Sequence, residues 1–332
     1  MHIPDNYLSP STCVFMGTIM IPIWARAVKK VKSELDKKKM PLMGIGASLS
    51  FLTMMFNVPL PGGTTGHAVG GTLLAILLGP ESACISITIA LLIQALLFGD
   101  GGVLAFGANC FNMAFVIPYV GYYIYKFLKE KSKTEKGEYI AIMAASYIGI
   151  NAAALCAAIE FGIQPLFFKD TAGMPLYCPY PLSITIPSML IPHLAVAGVL
   201  EAIITIGVLS FIKKVSPDII YQGSSTKMNP IYGLIIVLIC LSPLGLLAAG
   251  TAWGEWGSSE ISSVVVGGKP LGFIPKGMEN GFSFSALMKD YSVKGLPDGA
   301  GYILSAVAAV AIFLIIFRVI TSVRKENKSS SR

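Results

Sequence analysis

The chain opens MHIPDNYLSP, and a histidine in second place gives one short segment three nitrogens able to hold a metal. They are the α-amine of Met1, the backbone nitrogen of His2 and the His2 Nδ1. Binding through all three closes a five- and a six-membered ring and leaves one in-plane position open. Four nitrogens in a plane suit Ni2+ or Cu2+, whereas Zn2+ prefers a tetrahedron and Ca2+ and Mg2+ prefer oxygens. Displacing the amide proton also demands a strongly binding metal, again nickel or copper before zinc or manganese. The bulk of His2 opposes removal of Met1 during maturation, so the chelate can persist. A fourth nitrogen is offered by His67, in GGTTGHAVGG (62–71), where glycines on both sides let another backbone approach closely. Read alone, the same residues equally fit a chance Met-His start and an unrelated loop histidine. The two readings separate on where the chain places them.

The elements that must place them are membrane helices. Hydrophobic residues make up 54% of the 332 and charged residues only 13%, with a mean hydropathy of +0.69. A soluble domain carries about a quarter charged residues, so water is not the main solvent. Apolar segments run at about 10–32, 41–58, 67–79, 81–98, 107–128, 138–160, 183–212, 229–250 and 300–322. A span takes roughly 20 apolar residues, or about 17 at the short end. Seven of the nine qualify; the pair 67–79 and 81–98, broken by Gly79-Pro80-Glu81, has a short first member. Of the 25 Lys and Arg, 20 fall in loops on one side and five (Lys169, Lys269, Lys276, Lys289, Lys294) on the other. Basic loops face the cytoplasm. The expected fold is therefore an all-α polytopic membrane protein of about nine helices, a seven-helix core plus two, N-out and C-in, in the cell membrane. The formal charge of +7 reflects those basic loops and not nucleic-acid binding. The opening segment is acidic, with no basic n-region, which is not the pattern of a secretory leader. Met1, His2 and His67 then share the outer face.

Two blocks are expected. Residues 1–215 are dense in helices and form a metal-binding membrane domain, and 216–228 reads as a linker. The block 229–332 holds two helices around an outer loop (251–299) rich in Gly and Ser.

The opening MHIPDNYLSP resembles the start of the cobalt/nickel permeases of the energy-coupling-factor (ECF) type, the CbiM/NikM substrate-binding subunits. The segments GTTGHAVGGTLLAILLGP (63–80) and LLIQALLFGDGGVLAFGANCFNMAFV (91–116) resemble that family's central motifs, and PHLAVAGVLEAIIT (192–205) does so more weakly. GTAWGEW (250–256) and LPDGAGY (296–302) resemble the family's small N component (NikN/CbiN-like), here fused in one chain. The resemblance implies a square-planar site from the Met1 amine, the His2 amide nitrogen and imidazole, and the His67 imidazole. It implies Ni2+ as the transported ion, alternatively Co2+, with no other cofactor. It further implies an ECF transmembrane coupling subunit and cytoplasmic ABC-type ATPases as partners. Where the family usually reads MHIPDG this chain has Asn6, which tolerates a left-handed turn almost as Gly does.

Other polar residues fall in apolar segments. His193 and Glu201 lie eight apart, about two helical turns, on one expected face; buried ionisable groups in membranes are candidates for function, or else contacts between helices. Gln94, Asn109, Asn112 and Asn151 fit hydrogen bonds between helices, with support of the site as the alternative. Asp100, in FGDGG (98–102), is a candidate to orient His67, or simply a turn former. Trp253 and Trp256 read as interface anchors. The six cysteines show no metal-type spacing and read as small buried hydrophobes. No GxxxxGK[ST] phosphate loop occurs, so pumping energy is expected from another polypeptide. A membrane-embedded metalloenzyme would need a general base beside the metal, and HExxH is absent. A stand-alone channel or proton-driven carrier is the remaining alternative.

Overall fold

The computed structural model describes residues 1–34, 39–61, 63–132, 134–219, 228–248, 250–266 and 268–329. Residues 220–227, most of the expected linker, lie outside this set. An extended N-terminal segment leads into α1 (Pro10–Glu34), followed by α2 (Lys39–Met55). A small hairpin, β1 (Val58–Leu60) and β2 (Thr64–Gly66), pairs Val58 with Gly66 and delivers His67 just beyond its second strand. Next come α3 (Gly71–Leu78) and α4 (Pro80–Ile93), the latter ending in a π turn, Gln94–Phe98. A broken helix then runs from α5 (Phe106–Asn109) through a π turn (Cys110–Val116) into α6 (Ile117–Lys131). The helix α7 (Glu135–Gly162) starts at Thr134, whose hydroxyl accepts the Gly137 N–H, and is followed by α8 (Gln164–Phe167). Finally α9 (Leu182–Pro192) passes through a third π turn (His193–Ala197) into α10 (Gly198–Val215). The C-terminal block contributes α11 (Asn229–Leu241) with a 3-10 extension to Leu247, the two-residue strands β3 (Val265–Val266) and β4 (Lys269–Pro270), α12 (Lys276–Glu279) and α13 (Asp298–Ser329).

Six stretches among the described residues are long and apolar enough to cross a bilayer: 10–33, 80–98, 135–167, 182–215, 229–247 and 298–322. The shorter apolar helix 40–55 accompanies them. All nine apolar segments of the sequence carry helix, but unequally. The doubtful pair resolves into a short limb and a long one. With eight residues α3 is about 12 Å long, too short to span by itself, and it starts at the left-handed Gly70 (φ 72°). Gly79 (φ 86°) makes the corner and Pro80 starts the return helix, where its missing N–H costs nothing.

The helix α2 packs between α4 and α13, so the C-terminal block lies directly on the core. Small residues allow this. A Cβ on Gly44 would sit 3.4 Å from the Phe317 side chain, and one on Gly245 would lie 2.1 Å from the Met55 carbonyl oxygen. Phe51 fills the seam, its ring 5.6 Å from Phe313 and 6.0 Å from Tyr291.

Candidate metal centre

The opening segment threads into the protein. Ile3 and Tyr7 are fully buried, and Met1, His2 and Leu8 nearly so. An extended strand buried this way needs partners for its backbone groups, and side chains supply most of them. Asn109 takes Ile3 from both sides: its Oδ1 accepts the Ile3 N–H at 2.7 Å and its Nδ2 donates to the Ile3 carbonyl at 3.0 Å. That carbonyl also accepts the Gly102 N–H at 2.8 Å. Asp5 Oδ1 accepts the Leu104 N–H at 2.7 Å, Tyr7 O accepts the Cys178 N–H at 3.0 Å, and Gln164 Oε1 accepts the Ser9 N–H at 3.0 Å. The FGDGG turn is glycine-rich for a steric reason. A Cβ on Gly102 would lie 2.5 Å from the Asp5 backbone nitrogen, and Gly101 (φ 84°) backs onto the His2 ring.

This threading brings the N-terminus to His67. The His67 Nε2 is 3.2 Å from the His2 Nδ1, with the ring centroids 5.0 Å apart. The tautomers follow from the neighbours. His67 Nδ1 lies 3.1 Å from its acceptor, the Ala68 carbonyl, so it carries the proton and Nε2 is a lone pair. His2 Nδ1 then donates, shared between His67 Nε2 and Asp100 Oδ1, which is also 3.2 Å away. His2 Nε2 is buried without a partner, as an unprotonated nitrogen there would be. Burial holds the His67 imidazole, in the loop before α3, well below its ordinary pKa, with His2 and the amine adding to the effect. The ring is thus neutral in the physiological range, the form that can ligate a metal.

Two nitrogens at right angles on one ion, each about 2 Å away, stand about 2.9 Å apart. The 3.2 Å separation of His2 Nδ1 and His67 Nε2 is close to that edge. An ion would take the place of the proton that His2 Nδ1 shares with His67 Nε2, and that proton would move to His2 Nε2.

Of the remaining residues singled out in the sequence, Asp100 stands on His2 and not on His67, because the FGDGG turn lies over the opening segment. Its Oδ2 accepts from Gln94 Nε2 at 3.2 Å and from the Tyr291 hydroxyl. Asn112 reaches away, donating to Glu160 Oε2 at 2.8 Å. A π turn separates His193 from Glu201, and the two have different partners. His193 Nδ1 is 2.7 Å from the Met189 carbonyl of its own helix, while Glu201 Oε2 accepts the Val69 N–H at 2.7 Å and the Gly70 N–H at 3.0 Å. Four cysteines are buried, Cys156 is partly so and Cys240 is exposed.

The C-terminal block contributes more than the sequence indicates. Glu255 Oε1 lies 3.3 Å from the Met1 ammonium. Asn6, at φ 68°, clasps the Phe282 backbone, donating to its carbonyl at 2.8 Å and accepting its N–H at 2.9 Å. Thr64 Oγ1, three residues before His67, accepts the Trp253 N–H at 2.7 Å. Outside the membrane spans, Lys276 bonds Asp170 at 2.8 Å and so holds that carboxyl below its usual range. The signal for Glu255 was its place in GTAWGEW, where the flanking tryptophans drew the reading toward the bilayer surface. Those rings pack on one another and on Tyr180, at centroid separations of 5.5 to 6.2 Å.

Comparison with known proteins shows the family and related folds. Residues 2–219 match the family described as the CbiM cobalt uptake substrate-specific transmembrane region, and residues 228–326 match the PDGLE domain. The chain is 53% identical over 321 residues to a probable fused nickel transport protein, LarMN, of Lactiplantibacillus plantarum, covering 96% of this chain and 97% of that one. It is 44% identical over 331 residues to the fused nickel transport protein NikMN of Rhodobacter capsulatus, with 95% of each covered. A crystal structure of a transition metal transporter, 55% identical, superposes with a TM-score of 0.62 over 65% of this chain and 93% of its own.

Proposed function

The chain belongs to the CbiM family of cobalt uptake substrate-specific transmembrane regions, with a PDGLE domain behind it, and on that premise we propose that it is the metal-capturing membrane subunit of an ECF-type nickel importer. The observation that carries this reading is the approach of His67 Nε2 to His2 Nδ1 at 3.2 Å, beside the Met1 amine, on a buried segment. The ligands are the Met1 amine, the His2 amide nitrogen, the His2 Nδ1 and the His67 Nε2. Four nitrogens in a plane favour Ni2+. Fused relatives matching nearly the whole chain are named for nickel, and the family for cobalt, so Co2+ is the second reading. Cu2+ binds such sites more tightly still, and its exclusion falls to availability.

In this reading the N-terminus faces out, as the distribution of basic residues requires. Residues 1–215 form the binding domain, 216–228 the linker and 229–332 an N-component-like block whose loop closes over the site. Release inward depends on a coupling subunit and on ATPases in other polypeptides. The test is a competition titration of the purified chain with Ni2+, Co2+ and Cu2+, followed by visible absorption. A planar four-nitrogen band, lost on changing His2 and His67 together to Ala or on adding residues before Met1, is expected. Unchanged nickel binding in those variants would remove the chelate. ATP-dependent uptake only with partner subunits separates an importer subunit from a stand-alone carrier.

A further inference from the structure

The side chains around His67 leave Glu201 to be explained. It is fully buried on α10, and its Oε2 collects two backbone N–H groups from the far side of the chain, Val69 at 2.7 Å and Gly70 at 3.0 Å. Gly70 adopts φ 72°, the left-handed region, so successive N–H groups of this loop converge on one acceptor. The grip is shared from the other side by Ser50 on α2, whose hydroxyl donates to the Val69 carbonyl at 2.8 Å.

One of these bonds has a second end. The Val69 N–H belongs to the same peptide unit as the Ala68 carbonyl, and that carbonyl accepts from His67 Nδ1 at 3.1 Å. A continuous line therefore runs from Glu201 Oε2 through the Ala68–Val69 peptide to the His67 ring and out at Nε2, the lone pair facing His2 Nδ1. An acceptor on a peptide N–H polarises its carbonyl, and bonds in such a chain strengthen one another. Ligating histidines usually donate their other N–H to a carboxylate or a carbonyl, which fixes the tautomer and raises ligand basicity. Here the two partners act in series.

We propose that Glu201 is the positioning residue of the His67 ligand, fixing its Nδ1–H tautomer and strengthening its Nε2 as a donor through the Ala68–Val69 peptide. This rests on the reading of His67 as a metal ligand and adds to it a residue on a different helix. It also gives the carboxylate a task other than binding the ion: both its bonds go to backbone N–H groups, two and three residues past His67 in the chain.

The test uses the full chain, purified in detergent, with Ni2+ as the probe. Glu201→Gln keeps the shape and an acceptor but removes the carboxylate; changes of this kind around metal-ligating histidines cost on the order of 10- to 100-fold in affinity. Glu201→Gln is expected to weaken Ni2+ binding about tenfold and to move the visible absorption band. Placed in a His67→Ala background it should change affinity less than about twofold, because its route to the metal has gone. Equal loss in both backgrounds, or no loss in either, overturns the proposal. If His67→Ala alone binds Ni2+ as the native chain does, the ligand reading itself fails and this one with it. Should Glu201→Gln not fold, 15N spectra of the three histidines in the metal-free native chain decide the matter. A proton on His67 Nδ1 is expected, and a proton on Nε2 refutes the proposal.

Discussion

Removing the Asn109 amide tests whether the opening segment is pre-arranged for metal. Asn109 and Ile3 are both buried, and the two hydrogen bonds between them, at 2.7 and 3.0 Å, fix the peptide that follows the His2 ligand. In Asn109→Ala the Ile3 carbonyl keeps the Gly102 N–H at 2.8 Å, so it stays satisfied. The Ile3 N–H is left bare. A bare buried donor costs about 1–3 kcal/mol and the second lost bond about 1 kcal/mol, so the total is about 2–4 kcal/mol. With tenfold in affinity for each 1.4 kcal/mol, the ceiling on the loss of Ni2+ affinity is on the order of 30- to 1,000-fold. The ceiling is reached if the segment comes loose in the metal-free protein and must be ordered by the ion. If it stays in place, the same cost shows as lower thermal stability without metal. Ni2+ titration and a melting curve with and without the ion measure both quantities. An Asn109→Ala protein with Kd within threefold of the native value and an unchanged melting temperature would refute the pre-arranged strand.

Three further outcomes follow from the same geometry. Gly102→Ala places a Cβ 2.5 Å from the Asp5 backbone nitrogen and equally close to its Oδ1, so the turn must move; Ni2+ affinity should fall at least about tenfold, and native affinity would show that the turn does not set the site. Asn6→Gly relieves a left-handed residue but removes both bonds to Phe282; global stability should change by less than about 1 kcal/mol, while amide exchange at Phe282 accelerates, and an unaltered exchange rate would mean that the clasp does not form. Because burial keeps His67 neutral, the protons released on binding come from the Met1 ammonium and the His2 amide. Nickel affinity should therefore rise with pH through the neutral range, because each displaced proton favours binding as pH rises. Calorimetry in two buffers of different ionisation heat should count close to two protons at pH 6.5, and a count near zero would contradict the chelate.

Helices were legible because membrane spans are read from composition, and the charge asymmetry needs no three-dimensional information. The His2–His67 pair was legible for a different reason: a histidine beside the N-terminal amine is a local chelating motif, and glycines mark close approach. What the sequence could not show are bonds made across long separations by common residues. Asn109, Glu201 and Asp100 stood out as polar groups in apolar segments, yet their partners are backbone atoms of Ile3, Val69 and Gly70 or the ring of His2. Backbone leaves no trace in residue type, so the sequence offers Asp100 only as a candidate for His67 or a turn former, and the structure sets it on His2. The π turns at 94–98, 110–116 and 193–197 are equally silent in sequence. The third places a wide turn between His193 and Glu201 and alters the face that a regular helix would give them.

The contribution of the C-terminal block can be weighed by charge. In the metal-free site the Met1 ammonium faces Glu255 and His2 faces Asp100, so the formal charges of amine, Glu255 and Asp100 sum to minus one. A divalent ion that takes the amine and the amide nitrogen displaces a proton from each. Adding two positive charges and removing two leaves that sum unchanged. Burying an uncompensated charge is costly, and this exchange adds none, because the two carboxylates face the same net charge before and after an ion enters. An ion held without displacing the amide proton would leave the pocket one charge more positive, and a monovalent ion displacing both would leave it one more negative. One of the two carboxylates, Glu255, comes from the fused block, and Tyr291 of the same block bonds the other. If the proposed ligands hold the ion, selection for a divalent ion that ionises an amide would rest partly on residues of the C-terminal block, a physical reason for the two parts to travel in one chain.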